Sequence, residues 1–98
     1  MTPPPLPIAT RELSVQDDTG AEQPLRVQVY APTPDGACWA CVYELGAPVS
    51  VRAAAYGEDS LQALTLALHA VQAHLRTPDL RDRVHWLGAP LADFLTQP

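Results

Sequence analysis

The sequence predicts an α+β fold in which a four-stranded antiparallel sheet is packed on one face by one long helix. Two observations support this prediction. Four stretches before residue 57 alternate apolar and polar residues, as half-buried strands do. A longer stretch, residues 60–76, has apolar residues at helical spacing. Since short turns join the four strands, the simplest topology is a meander, followed by a short irregular or helical C-terminal tail.

Each predicted strand has one apolar face. The strands cover residues 8–16, 25–31, 38–45 and 49–56. Segments rich in Gly, Pro and Asp separate them and are typical of turns, at residues 17–24, 32–36 and 46–48. We expect the inward-facing residues to be Ile8, Leu13, Val15, Leu25, Val27, Val29, Ala31, Trp39, Cys41, Tyr43, Leu45, Val49, Val51, Ala53 and Ala55.

The helix has a start signal as well as a period. Gly57 ends the fourth strand, and Asp59 is a good N-cap because its carboxylate can accept from the first-turn N–H groups. Gln62 can reach back as in a capping box. The helix should end near residue 76, because Pro78 disfavours helical dihedrals in the residue before it. The stripe expected to pack on the sheet consists of Leu61, Leu64, Leu68, Val71 and Leu75.

A second apolar stripe on the far side of the helix requires a covering element. Its residues are Ala63, Leu66, Ala70 and Ala73. A helix that is apolar on two sides is usually buried on both. We expect the apolar tail to fold back over this stripe through Trp86, Leu91, Phe94 and Leu95. A homodimer that pairs through the same stripe or a sheet edge is the alternative.

Composition indicates the class of protein. The 98 residues predict one domain over residues 8–98, after a disordered proline-rich leader at residues 1–7. The hydrophobic content of 47% excludes wholesale disorder, and the sequence has no apolar run of about 18 residues that could span a membrane. The start of the chain lacks a signal-peptide pattern, so we expect a cytoplasmic protein. Six arginines without lysine, and many alanines, suggest a GC-rich bacterial genome.

Charge indicates the kind of partner. The net charge is −5 and no basic stripe is visible, which argues against nucleic-acid binding. A basic partner protein is easier to accommodate. Two candidate partner surfaces follow. One is the acidic turn with Asp17, Asp18 and Glu22, and the other is the open sheet face with Arg26, Tyr30, Arg52 and Tyr56.

The sequence shows no catalytic, cofactor or metal constellation. Cys38 and Cys41 form a C-x-x-C pattern, but in a strand they point to opposite faces about 10 Å apart, too far for a disulfide. His69 and His74 lie about 140° apart around the helix and cannot share a metal. The acidic turn lacks the spacing of a calcium loop. We therefore expect no enzyme activity, no cofactor and no metal.

The sequence is compatible with three functional hypotheses. The leading one is a non-enzymatic interaction module that binds a partner protein, with an immunity- or antitoxin-like role. The second is a small enzyme or ligand-binding domain that uses the polar helix edge His69, Gln72 and Arg76. The third is a structural homodimer.

The motifs that mark the strand end and the helix start resemble those of a known family. Trp39-x-Cys41 and the run from Gly57 to Leu64, which reads G-x-D-S-x-Q-A-L, resemble a family of small bacterial proteins known as a domain of unknown function. The resemblance covers about residues 9–95 and implies a fold without an activity. The order of elements is also similar to HicB-type antitoxins. Their Pro-Asp-x-x-Gly segment and DNA-binding segment are missing, so the similarity implies partner inhibition alone.

Overall fold

A computed structural model describes residues 6–91 and 93–95 of the chain. They form an α+β fold with an antiparallel sheet and, within these residues, one helix. The strands are β1 (Pro7–Gln16), β2 (Glu22–Tyr30), β3 (Thr33–Asp35), β4 (Cys38–Leu45), β5 (Val51–Gly57), β6 (Val84–Trp86) and β7 (Ala89–Pro90), and the helix is α1 (Ser60–Leu75). The predicted leader falls mostly outside the described residues, but its last residue, Pro7, belongs to β1.

Within the described residues the sheet has seven strands, so the prediction of four is wrong. The four predicted strands correspond to β1, β2, β4 and β5, which pair antiparallel in that order. β3 forms where a turn was predicted and pairs with the part of β4 that β2 leaves free. β6 pairs with the far edge of β1, and β7 pairs with β6. The last strands therefore join the first one, which departs from a simple meander.

The described tail is mostly turns and irregular backbone, as the sequence predicts, but it also contains the short strands β6 and β7. β6 and β7 are joined by Leu87 and Gly88, whose φ angles of 54° and 83° suit a tight hairpin turn. Val84 anchors this hairpin in the core with an exposed fraction of 2%. Strands of three and two residues are too short to show an alternating pattern. Their position therefore depends on pairing with β1 and not on local sequence.

The inward faces of the four long strands are largely those predicted. The buried strand residues are Leu13, Val15, Leu25, Val27, Val29, Cys41, Tyr43, Leu45 and Val84. Trp39, Val49, Val51 and Ala55 are partly buried against them. Ile8 and Ala53 are exposed instead, although both were expected to face inward. The core thus lies between α1 and the sheet face formed mainly by β1, β2 and β4.

The predicted helix start is confirmed in its main feature. The Asp59 carboxylate accepts a hydrogen bond from the Gln62 N–H at 2.7 Å. The Gln62 side chain accepts in return from the Glu58 N–H at 2.7 Å, one residue earlier than a standard capping box. The helix has 16 residues, and no helix among residues 6–91 and 93–95 has the length and hydropathy to cross a membrane.

The buried face of α1 differs from the predicted leucine stripe. Its buried residues are Ala63, Ala67, Val71 and Leu75, and Leu61 has an exposed fraction of 70%. At 100° per residue, the buried face is rotated by about 60° from the predicted stripe. The small side chains of Ala63 and Ala67, both fully buried on this face, let the helix approach β4 and β5 closely. Leu64 and Leu68 are partly buried against this core.

Candidate functional site

The acidic turn between β1 and β2 forms contacts within its own chain. Asp17 Oδ1 accepts from the Thr19 hydroxyl at 2.6 Å, the Thr19 N–H at 2.8 Å and the Ala21 N–H at 3.1 Å. These hydrogen bonds, with the Thr19 hydroxyl foremost, lower the pKa of Asp17 to about 2. The Asp17 carboxylate therefore holds the turn in shape, as such side chains do when they accept from nearby backbone N–H groups.

The other two acids of this turn face the C-terminal segment. Arg83 donates to Asp18 at 3.0 Å, and His85 Nδ1 lies 3.5 Å from a Glu22 carboxylate oxygen. His85 Nδ1 is buried and has no hydrogen-bond partner among the described residues. The turn that the sequence suggested as a contact for a basic partner thus faces Arg83 and His85 of the same chain.

The open sheet face also contains paired charges. Arg26 forms an ion pair with Glu12 at 2.6 Å. Arg52 lies 5.1 Å over the Tyr30 ring and 3.5 Å from Glu44, which also accepts from the Tyr30 hydroxyl at 3.1 Å. Three of the four residues predicted on this face, Arg26, Tyr30 and Arg52, therefore have partners within the sheet.

Tyr56, the fourth residue, lies near the end of the sheet and has an exposed fraction of 56%. At the same end, β3 and β4 form a hairpin in which Asp35 pairs with Cys38. Pairing of Trp39 with Gly57 brings this hairpin beside the end of β5, where Glu58 follows and α1 begins. We call this surface the β3–β4 end. Its residues are Asp35, Trp39, Tyr56, Glu58 and Leu61.

Charge at the β3–β4 end is not compensated. The carboxylates of Asp35 and Glu58 have no ion pair among the described residues, whereas each of the six arginines contacts a carboxylate or an aromatic ring. Two apolar residues at this end, Tyr56 on the open face of the sheet and Leu61 on the helix side, are among the most exposed large side chains of the domain. The sequence alone does not distinguish Asp35 and Glu58 from the other acidic residues. Whether a carboxylate has an ion pair is known only when the positions of all arginines in the fold are known.

The C-terminal tail packs on the polar helix edge that the sequence suggested as a catalytic or ligand-binding site. The Leu95 N–H donates to the Gln72 side chain at 3.2 Å, and Arg76 lies 3.5 Å from Asp93. His69 is exposed on the same strip of the helix. Two of the three predicted edge residues therefore attach the tail to α1.

The tail does fold back on the helix, but on a different flank from the one predicted. Arg11 links it to β1, because its guanidinium lies 3.9 Å from the Trp86 ring centroid and 4.9 Å from that of Phe94. Arg11 also donates to the Phe94 carbonyl at 2.8 Å. Phe94 and Leu95 line a cavity with Leu68, not with the predicted second stripe.

Of the predicted second stripe, Ala63 is buried against the sheet instead, and the described tail covers none of the other three residues. Leu66 has an exposed fraction of 43%, Ala73 is exposed and Ala70 is half-buried. α1 packs on β4 and β5, and the tail lies on the flank toward β1 and β2. Leu66 and Ala70 therefore point to the opposite side of the helix, above the edge of β5. The dimer alternative for this stripe stays a prediction.

A cleft of about 590 Å³ lies beside the C-terminal end of α1, within the usual size of small-molecule sites. Its apolar wall includes Val15, Val49 and Leu80, and its polar rim includes His74 and Asp79. None of the predicted edge residues lines it. A small ligand would fit this cleft better than the His69–Gln72–Arg76 edge.

Both cysteines lie on β4, as predicted. Cys41 is fully buried and donates to the Tyr30 carbonyl at 3.3 Å, and burial raises the pKa of its thiol. Cys38 is half-buried near the hairpin turn and donates to the Asp35 carbonyl at 3.2 Å. Among residues 6–91 and 93–95, no group of three or more His, Cys, Asp or Glu side chains could hold a metal ion.

Comparison with known proteins assigns the chain to a family. The model of a family described as Domain of unknown function (DUF6968) matches residues 9–94, so the chain belongs to this family. The matched region extends from β1 to the tail residue Phe94. No curated protein and no solved structure matches the chain.

Proposed function

We propose that this member of the DUF6968 family is a non-enzymatic interaction module that binds another protein through its β3–β4 end. One juxtaposition supports this proposal. Tyr56 and Leu61 are exposed, and the uncompensated carboxylates of Asp35 and Glu58 lie at the same end of the domain. Exposed apolar side chains rimmed by polar groups are typical of protein-binding surfaces.

The chemistry of this end defines the partner. Exposed Tyr and Leu side chains supply apolar contact area, and aromatic residues are enriched at interface centres. Asp35 and Glu58 would then pair with arginine or lysine at the rim of the partner surface. The net charge of −5 would also speed the encounter with a basic protein. The partner is therefore expected to present apolar side chains flanked by basic ones.

This partner chemistry is compatible with an immunity- or antitoxin-like role, in which a small acidic protein covers a basic surface of another protein. The net charge of −5 favours that role. The resemblance to HicB-type antitoxins suggested by the sequence would imply the same role, inhibition of a partner.

Selection from a random-peptide phage library on the immobilised protein tests the binding surface. We expect the enriched peptides to combine arginine or lysine with aromatic or aliphatic residues. Their binding should weaken at least about tenfold, which is about 1.4 kcal/mol, in Leu61→Glu and in the double variant Asp35→Arg, Glu58→Arg. Leu66→Glu is the matched control, because it places the same charge on an exposed leucine of the same helix on the opposite flank.

Two outcomes of the selection would overturn the proposal. The first is a set of acidic peptides, or of peptides without apolar residues. The second is a set of peptides whose affinity is the same for the wild-type protein, Leu61→Glu and the double charge reversal. Circular dichroism of each variant should show an unchanged fold, so that loss of binding reports on the surface.

A second candidate function is small-ligand binding in the cleft beside His74 and Leu80, which its volume of about 590 Å³ favours. A screen of small apolar and cationic compounds by amide chemical shifts would detect it. Shift changes confined to the cleft, together with no peptide enrichment at the β3–β4 end, would favour this function over protein binding.

A further inference from the structure

The free edge of β5 has few of the features by which proteins usually protect edge strands, since Arg52 is its one charged residue. β5 pairs with β4 on one side, and no other described strand pairs with it. Its seven residues contain no proline, no lysine and no acidic residue, and Ala53, Ala54 and Ala55 leave the backbone accessible. Natural edges are usually kept short or carry charges, prolines or bulges. The opposite edge of the sheet fits that rule, because β7 has two residues and ends in Pro90.

The uncovered stripe of α1 lies above this same edge. The helix returns antiparallel along β5, so a rise of 1.5 Å per residue places Leu66 and Ala70 roughly above the middle of the strand. The whole of α1, Ser60–Leu75, contains no Asp, Glu, Lys or Arg. This uncharged helix lies beside a strand edge whose one charged residue is Arg52, on a domain whose net charge is −5.

We propose that a second copy of this chain docks here, so that two β5 strands pair antiparallel about a two-fold axis near Ala54. Such a dimer would extend the sheet across both copies and bring the two helices side by side. Like charges would not meet at its centre, because neither β5 nor α1 contains a carboxylate.

The register about Ala54 is self-complementary. The numbers of two residues that pair across the axis then add up to 108. This register sets Arg52 opposite Tyr56 of the second copy, and Ala53 opposite Ala55. Arg52 and Tyr56 both face the open side of the sheet, so the guanidinium could stack on a ring of the second copy as it does on Tyr30. The exposed Tyr56 side chain would be partly covered there.

Helix spacing is compatible with the same dimer. α1 packs on both β4 and β5, so its axis lies roughly over the gap between them. With strands about 4.8 Å apart, two helices related by the dimer axis would lie about 10 Å apart. Packed helices are usually 8–10 Å apart, and small residues such as Ala70 permit the shorter distances. Leu66 and Ala70 of the two copies would meet near the axis.

Multi-angle light scattering of the full chain at about 100 µM tests this dimer. This concentration is about tenfold above a Kd of 10 µM. We expect a mass of about 21 kDa for the wild type, twice the 10.6 kDa of one chain. Leu66→Glu and Ala53→Lys should each weaken the dimer at least tenfold and so lower the average mass to about 16 kDa or less. Leu61→Glu is the matched control and should stay dimeric, because Leu61 lies on the other flank of α1.

A wild-type mass of one chain at this concentration would overturn the proposal. A dimer that persists in both Leu66→Glu and Ala53→Lys, or that Leu61→Glu disrupts, would overturn it as well. Circular dichroism should show that each variant is folded. Tyr56 belongs to both surfaces, so the two proposals are separated by Leu61→Glu, which should weaken only peptide binding, and by Leu66→Glu, which should weaken only dimerisation.

Discussion

Gly57→Ala is expected to destabilise the fold strongly, although it adds one methyl group. Gly57 is buried where β5 ends against the first turn of α1. A Cβ at this position would lie 2.5 Å from the Ala63 nitrogen, 2.9 Å from the Gln62 carbonyl carbon and 3.0 Å from the Ala63 Cα. All three are backbone atoms, so no side chain can rotate away, and the helix start itself must move.

The expected cost follows from this geometry. Inserting a methyl into a well-packed core typically costs 1–3 kcal/mol, and the lack of a flexible neighbour places this substitution at about 2 kcal/mol or more. For a domain of this size, 1 kcal/mol changes the Tm by about 4–8 °C. Gly57→Ala should therefore lower the Tm by roughly 8–16 °C. Much of the shift should come from loss of contact between α1 and β5.

Differential scanning calorimetry of this variant and of Gly46→Ala provides the comparison. A Cβ at Gly46 would lie 3.5 Å from the Arg26 carbonyl oxygen, which is an ordinary contact. Gly46→Ala should therefore change the free energy of unfolding by less than about 1 kcal/mol. Equal Tm values for the two variants would refute the close approach of α1 to β5, and with it the position of the helix on the sheet.

Three further predictions concern the tail, the acidic turn and the cysteines. Deleting residues 84–98 removes the buried Val84 and the aromatic rings stacked on Arg11. The deletion should therefore lower the free energy of unfolding by at least about 2 kcal/mol and lower the Tm. An unchanged Tm would contradict this role of the tail. Because the pKa of Asp17 is lowered from 3.8 to about 2, its contribution to stability is present above about pH 4 and is lost as the pH falls toward 2. Urea midpoints should thus fall more steeply over this range in the wild type than in Asp17→Asn, and parallel curves would show that the turn does not use the carboxylate. A thiol reagent should label Cys38 in the native protein and Cys41 after unfolding; native mass spectra showing bound zinc, or a loss of two protons, would contradict two free thiols.

Local patterns predicted the long elements of this fold. β4 runs from Cys38 to Leu45 as expected, because its alternation is regular and turns flank it on both sides. The helix start at Ser60 follows from Asp59 and Gln62, whose hydrogen bonds are local. Such signals depend on residues close together in the chain, so one sequence is enough to detect them.

Features that depend on size or on distant residues were not predictable. Leucine is more hydrophobic than alanine, so the apolar pattern predicted that Leu61 faces the core. Close packing of the helix on the sheet instead requires the smaller Ala63 and Ala67 at the buried face. Arg11 bonds to Phe94 across 83 positions, and Arg83 bonds to Asp18 across 65. No periodicity connects residues that far apart. The sequence therefore favoured the acidic turn as a partner surface, because it does not reveal that Arg83 pairs with Asp18 there. The structure instead favours the β3–β4 end.

Amide chemical-shift mapping tests the central proposal, partner binding through the β3–β4 end, most directly. A peptide from the phage selection would be titrated into the isotope-labelled protein at a concentration near its Kd. We expect the largest shift changes at the amides of Asp35, Tyr56, Glu58 and Leu61, with little change in the β1–β2 turn at residues 17–22. Largest changes in that turn, or at Leu66 and Ala70, would contradict the proposed binding surface.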